Sequence, residues 1–443
     1  MKQSNLKFFF WAAALAVAVM VPLKAAEAVS APAGSPAGTN QMSLDDLVDE
    51  ALAGNPELNF YRAEIAAAHG GRRTAAAWAN PEVSAELGQK RVKDSSGAQL
   101  GEGAAWAVSV NQTFEYPGRL ALRKAIANRD LRLAELGYDQ FKLALAARVR
   151  ALGYGVFIAQ EKLAAANEVA RRFQALTDVL VQRDSAGITP LLETRIIEAN
   201  TITLQRQAGE ASLAAQSALL ELNQLRGQPP VAPVQVTDAE FHFREAPPLE
   251  TLLAVARTNA FELRIRQAEL EQQGFKVSLA KNERFPGVTV GPFISQENAA
   301  DKETIVGLGV SIPLPLWNHN QGGIETAQAR EQQAQTSLLL TQRDVERRVT
   351  ESTLALQVKL AGMNQWRADA VSQFTEAAEL ADRHYRLGAV PIATYVELQK
   401  QYLEAIAAML DTRKEALVAA QNLEQLTGIP SLVKQNARPN HHE

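Results

Sequence analysis

Hydrophobic positions recur along most of this chain at the spacing of a helix. Phe141, Leu145, Val149, Leu152, Val156 and Leu163 stand 4, 4, 3, 4 and 7 residues apart, the seam of a helix packed on neighbours. The stretch from Leu120 to Leu225 predicts one very long helix, a short break at Ser185–Pro190, and a second helix running back beside it. In that break Gly187 ends one helix and Pro190 opens the next. At ~1.5 Å per residue, the rod from Leu120 to Ser185 would be roughly 100 Å long. A compact enzyme domain has no use for such a rod; a coiled-coil strut or the wall of a tube does.

Each half holds two strand-like runs, and three of the four alternate with period two. Val83, Ala85 and Leu87 alternate with Ser84, Glu86 and Gly88, and Trp106, Val108 and Val110 with Ala107, Ser109 and Asn111. Later, Val306, Leu308, Val310 and Ile312 alternate with Gly307, Gly309 and Ser311. Such runs fit strands of a membrane barrel, apolar toward lipid and polar toward the lumen. They also fit a half-buried hairpin of a soluble β-domain. Four strands are too few to close a barrel, so the membrane reading requires several chains. Polar loops, Val92–Gly103 and Ser295–Glu303, join the paired strands. Trp78, Trp106 and Trp317 lie near strand ends, where an interfacial aromatic belt is expected and where core packing would serve as well.

The pattern occurs twice. Leu44, Leu47, Ala51, Glu57 and Glu64 fall on Leu249, Leu252, Ala256, Glu262 and Glu269, all 205 positions on. The same offset carries Asn80-Pro81-Glu82-Val83 onto Phe285-Pro286-Gly287-Val288. Gly187, Pro190, Leu222, Leu225, Gly227 and Pro229 recur 201 positions on, at Gly388, Pro391, Leu423, Leu426, Gly428 and Pro430. Register held over two separated blocks points to an internal duplication. Residues 43–228 form the first repeat, with strands at about 82–114 and a helical hairpin at 118–226. Residues 248–430 form the second, with strands at about 287–315 and a hairpin at 322–427. Each repeat opens with a short helix (about Leu44–Ala53; Leu249–Thr258) and a medium one (about Pro56–Ala79; Phe261–Arg284). The medium and return helices together match the long rod in length, so each half can build two full columns from three helices. Residues 229–247 read as a Pro-rich linker and 431–443 as a polar tail.

The address comes from the first residues. Lys2 and Lys7, the apolar run Phe8–Val21 and Ala26-Glu27-Ala28 compose a secretory signal over residues 1–28. An uncleaved anchor is the alternative, but the run falls short of the ~20 residues that span a bilayer. Cleavage removes Lys2, Lys7, Lys24 and Glu27 and takes the formal charge from −4 to −6. Residues 29–42 are a flexible lead-in. The negative balance argues against a nucleic-acid partner. With 0 cysteines, disulfides, thiolate chemistry and a lipid-bearing N-terminal Cys are excluded.

Little in the chain composes a reaction centre. Of His69, His242, His319, His384, His441 and His442, only the terminal pair is closely spaced, and a polar terminus explains it better than a metal site. There is no P-loop, nucleophile elbow or dinucleotide fingerprint, and no enzyme, cofactor or metal site is expected. His319, in Trp317-Asn-His-Asn320, is placed as a cap at the junction of strands and helices. Gly153 and Gly155 weaken the long helix by about 1 kcal/mol each and allow a bend or close helix contact.

The doubled Leu-Asp-Asp-Leu…Asn-Pro-Glu-Leu opening, the Asn80-Pro-Glu-Val strand entry and the twin Gly-x-x-Pro breaks resemble the TolC-like outer membrane efflux proteins. Ile312-Pro-Leu-Pro-Leu-Trp-Asn-His-Asn-Gln-Gly322 is most similar to their cobalt–zinc–cadmium resistance branch. The resemblance implies a mainly α fold with a small β part, in the bacterial outer membrane. In it three chains would close a 12-stranded barrel continued by a periplasmic α-helical barrel. It further implies an exit duct of a tripartite pump, joined to a periplasmic adaptor and an inner-membrane transporter of the resistance–nodulation–division (RND) type, exporting heavy-metal cations. Drug or solvent efflux, type I protein secretion, and a periplasmic coiled-coil adaptor remain alternatives. By the same resemblance Arg183, Ser185, Gly187, Arg386, Leu387 and Gly388 are adaptor-contact tips. Glu193 is a periplasmic gate residue; Thr394 stands at the equivalent second-half position, leaving Glu397 as the nearby acid. Solvated first-turn acids would explain both carboxylates equally well.

Overall fold

The computed structural model describes residues 41–184, 191–237, 241–299, 301–366, 370–429 and 431–435. These lie within one compact unit, Thr39–Glu443. In chain order they form β1 (Gln41–Met42), α1 (Leu44–Gly54), α2 (Glu57–Ala75), β2 (Glu82–Lys93), β3 (Gln99–Phe114), α3 (Arg119–Asp184) and α4 (Leu191–Arg226). Then follow β4 (Gln235–Val236), β5 (Phe241–Phe243), α5 (Leu249–Asn259), α6 (Phe261–Asn282), β6 (Val288–Asn298) and β7 (Lys302–Ser311). The chain closes with α7 (Gln321–Asn364), α8 (Ala370–Arg386), α9 (Ile392–Thr427) and β8 (Val433–Gln435).

Local chemistry explains the boundaries. Ser43 caps α1 by accepting from the Asp46 amide at 3.2 Å, while Asp46 Oδ2 accepts from the Ser43 amide at 3.0 Å. α3 runs unbroken for 66 residues because its interior holds no proline and is rich in Ala, Leu and Arg. The outgoing helix of the second half does not. It stops at Asn364, where the Gln365 and Trp366 amides turn back to the Gly362 and Met363 carbonyls at 3.1 and 3.0 Å, and restarts at Ala370. Gly-Met-Asn-Gln stands there where, 201 positions earlier, α3 has Glu161-Lys-Leu-Ala164, and Gly and Asn are the poorer helix formers.

Four strands pair antiparallel in the order β2-β3-β6-β7. Beneath them the helices stand in the same order. α2 and α4 both pack on α3, α3 on α6 and α9, and α6 and α9 on α7, with α8 beside α9. The first column is α2 stacked on α4. Asn55 Nδ2 donates to the Leu225 carbonyl at 2.9 Å, so the start of α2 meets the end of α4. Gly54 and Gly227 permit that approach: a Cβ on Gly227 (φ +68°) would lie 2.5 Å from the Gly54 carbonyl oxygen. The expected sharing of one column by two helices is thus an observed contact.

Three segments depart from expectation. Residues 229–247, read as a linker, contain β4 and β5. The lead-in supplies β1 and the polar tail supplies β8. β1 pairs parallel with β4, and β5 antiparallel with β8. Strands of two or three residues are too short to carry a period-two signal. These small sheets, with α1 and α5, form a belt around mid-height of the helices. It holds two core clusters, one with Leu44, Leu47, Val149, Tyr154 and Leu222, the other with Leu252, Ala256, Val345, Val349 and Leu423. A Cβ on Gly153 would lie 2.8 Å from Leu44 Cδ2 and 3.0 Å from Leu47 Cδ1. The glycine therefore serves close approach by α1.

Candidate functional site

The register assigns the two faces of the large sheet. Residues directly opposite in antiparallel strands share a face. Ala85, Val108, Ile294 and Val306 form one level, and Val83 and Val110 stand in the next with Pro292 and Leu308. Among the described residues no helix covers this face: Leu87 is 88% exposed, Val306 74% and Val83 73%. Along β3 the band runs from Trp106 to Phe114, roughly 27 Å at ~3.4 Å per residue. That length suits the apolar band of a tilted membrane strand.

The opposite face is polar and small. Asn111 Nδ2 donates to Ser109 Oγ at 3.0 Å and to Ser84 Oγ at 3.3 Å, and the Thr113 and Thr289 hydroxyls meet at 2.9 Å. Near the far end Lys90 Nζ bridges Glu297 Oε2 at 2.5 Å and Glu303 Oε2 at 3.1 Å. Phe293 is an exception, its ring lying over Gly307. The β2–β3 turn is shaped by Asp94, which accepts from the Ser96 hydroxyl at 2.6 Å and the Ala98 amide at 2.9 Å. These bonds, the Ser96 hydroxyl first, hold its carboxyl below the ordinary range. β2 and β7 leave two open edges on the sheet.

At the sheet base, aromatic rings gather. Trp78 meets Phe114 edge-on at 6.4 Å, Tyr116 stacks on Phe285 at 4.5 Å, and Trp317 is 92% exposed. Arg119, at the first turn of α3, donates to Asn282 Oδ1 at 3.1 Å and to the Phe285 carbonyl at 2.6 Å. Asn320, not His319, caps the last junction: in a left-handed conformation (φ 57°) it donates to the Ala280 carbonyl at 2.8 Å. Asn tolerates that conformation better than His, because its short amide bonds locally. Arg119, Asn282 and Asn320 carry no sequence signal of their own.

The far ends of the hairpins are described on one side. Ser185 and Gly187 lie outside the described residues, and Arg183 is described only as backbone of α3. In the second hairpin the Ala389 amide donates to His384 and the Gly388 amide to Tyr385, both at 2.9 Å, with Gly388 at φ +74°. This is a Schellman turn, and only glycine adopts its C′ conformation without strain. A Cβ on Gly388 would meet open space, and Leu387 beside it is exposed. Arg386 Nε donates to Asp382 Oδ2 at 2.8 Å. Tyr395, buried between Phe173 (5.2 Å) and Tyr385 (5.0 Å), donates to Asp382 Oδ1 at 3.2 Å. Burial first, then the Asp382 charge, pushes its phenol above the ordinary value. Glu193 sits half-buried in the first turn of α4, and exposed Glu397 accepts from Gln401 at 2.8 Å.

No helix among the described residues is long and apolar enough to cross a membrane, and no group of three or more acidic or histidine side chains is placed to hold a metal.

Comparison with known proteins agrees with this layout. The cobalt-zinc-cadmium resistance protein CzcC of Cupriavidus metallidurans is 24% identical over 397 residues, 87% of this chain and 90% of that protein. The pyoverdine export outer membrane protein OpmQ of Pseudomonas aeruginosa is 24% identical over 405 residues, 87% of this chain and 85% of that protein. The crystal structure of the Campylobacter jejuni CmeC outer membrane channel superposes with a TM-score of 0.72 at 15% identity, covering 87% of this chain and 85% of that one. The profile of the outer membrane efflux proteins matches twice, at residues 47–228 and again at 252–429. The chain therefore belongs to the outer membrane efflux protein family, channels of the bacterial outer membrane with a helical part in the periplasm.

Proposed function

We propose that three copies of this chain close a 12-stranded barrel and continue below it as a helical tunnel, the exit duct of a tripartite RND-type efflux system for heavy-metal cations. One observation carries the duct: a four-stranded sheet with two open edges and one bare apolar face, standing over helical columns in the same order. An open edge needs a partner strand, and a bare apolar face needs lipid. Side-by-side copies satisfy both demands at once. The two matching halves, each a β-hairpin on a helical hairpin, are read as tandem repeats.

A duct works passively, so the transport energy comes from an inner-membrane transporter reached through a periplasmic adaptor. The adaptor contacts are assigned to the hairpin tips, Arg183, Ser185 and Gly187 in the first half and Arg386, Leu387 and Gly388 in the second. Glu193 and Glu397 are assigned to the tunnel mouth, where a carboxylate ring attracts cations. Likeness to a cobalt-zinc-cadmium resistance protein supports metal cargo. Likeness to a pyoverdine exporter, at the same identity and similar coverage, supports a second reading in which a small organic chelator leaves by the same route. Deleting the gene and scoring growth on zinc, cobalt, cadmium, nickel and a panel of organic compounds tests both. Metal sensitivity is expected; unchanged tolerance of every metal, with sensitivity to organic compounds, moves the cargo to the second reading.

A further inference from the structure

Between α3, α5, α6 and α7, on the side where α5 lies, is a cleft of about 590 Å³ whose lining includes Arg129, Arg132, Arg257, Arg264, Thr258 and Glu271. Four guanidinium groups share it with a single carboxylate. Their outside partners do not restore the balance. Arg257 Nε is held by Glu346 at 2.8 Å, but Arg132 reaches Glu135 only at 3.4 Å. Among the described residues Arg264 has no carboxylate partner, and it lies over the Phe261 ring at 5.2 Å. Arg129 Nε is buried without an aligned acceptor, although Glu271 Oε2 stands 3.1 Å away. Arg132 and Arg264, half-buried and facing one space with no close carboxylate among the described residues, keep donors free for an external acceptor. Guanidinium forks bind phosphate and carboxylate oxygens in pairs, and more strongly where water is partly excluded.

We propose that this cleft binds a compact oxyanionic ligand carrying two or more phosphate or carboxylate groups. The site lies within one chain, between its second, third and fourth columns, so it does not depend on how copies assemble or on what the duct carries. Binding places Arg132 and Arg264 on one ligand. It therefore stabilises the folded chain by mass action.

The test is calorimetry on the full-length protein in detergent at constant ionic strength, with tripolyphosphate and citrate as separate probes. Saturable binding of one probe per chain is expected, and the tighter probe names the oxyanion class. Affinity should fall at least tenfold in Arg132→Gln/Arg264→Gln and stay unchanged in Arg206→Gln, whose partner Glu210 lies elsewhere. If the double variant fails to fold, Arg264→Lys serves. It keeps the charge, loses the fork and should bind more weakly than wild type. No saturable heat with either probe, or equal affinity in the cleft variants, overturns the proposal. Conductance in a planar bilayer reads the duct separately.

Discussion

The sheet and the belt use the same residue types in opposite ways. Leu87, Val306 and Leu308 point from the sheet into open space, whereas Leu47 and Leu252 in the belt are wholly enclosed. Both sets obey the period of their element, two along a strand and 3.6 around a helix. The difference is what lies beyond the apolar face. In the belt it is another helix of the same chain, and burying a leucine there contributes ~1.5–3 kcal/mol in water. On the sheet nothing among the described residues supplies that partner, so the same side chains gain only when hydrocarbon surrounds them. Periodicity reports that a face is apolar; the register and the absence of a covering element tell what must cover it.

The largest effect is expected in the belt. Leu47→Asp buries a charge among Leu44, Val149 and Leu222 and should cost ~4 kcal/mol or more, enough to abolish cooperative melting in detergent. Leu87→Asp should leave the melting of the helices almost unchanged. Equal damage at the two sites would mean that the sheet face is packed in water and would erase the contrast.

Next comes the sheet itself. Leu308→Arg, on the apolar face, should lose ~2–4 kcal/mol of stability in lipid vesicles, the range for a basic residue deep in a barrel wall. Ile305→Arg, three positions away on the other face, should be tolerated. Denaturant titration in vesicles measures both, and a larger loss at Ile305 would reverse the assignment of faces.

A third test bears on the long helix. Gly153→Leu drives atoms into Leu44 and Leu47 and should destabilise by ~1–3 kcal/mol through overpacking. Gly70→Ala, in α2 with nothing within 4 Å of the added carbon, should stabilise by up to ~1 kcal/mol from helix propensity alone. Thermal melting separates the signs; a destabilised Gly70→Ala would place an unseen neighbour against α2.

What was readable in advance follows from length and redundancy. The hairpin α3/α4 announces itself because 66 residues of helical period, ended by Gly and Pro, have no competing interpretation. The four sheet strands were readable because three show period-two alternation and the entry to β2 recurs in register at β6. β1, β4, β5 and β8 escaped because two or three residues hold no period. The break between α7 and α8 escaped because Gly362 and Asn364 are tolerated inside many helices. At the candidate surfaces, the turn at Gly388 was readable from its Gly-x-x-Pro setting. The stack of Phe173, Tyr395 and Tyr385 was not, since it joins α3, α8 and α9 across more than 200 residues of chain.

The smallest effect sharpens the contrast through acid. Asp46 caps α1 in the belt and Asp94 shapes the β2–β3 turn beside the sheet, and hydrogen bonds hold both carboxyls below the ordinary value of 3.8. For a depressed acid the stabilisation is complete above the unfolded value and is lost as pH falls through the lower folded value. Both bonds therefore weaken in the same acid window, below about pH 4. Their consequences should differ. α1 carries Leu44 and Leu47 into the belt, so loss of its cap reaches the core; the Asp94 turn holds only a loop. Ser43→Ala should cost ~1 kcal/mol near neutral pH, and Asp46→Asn should flatten the fall in melting temperature below about pH 4. Asp94→Asn should leave that fall unaltered while speeding proteolytic nicking of the turn. An acid slope that follows Asp94 rather than Asp46 would show that the sheet, and not the belt, sets the stability of the chain.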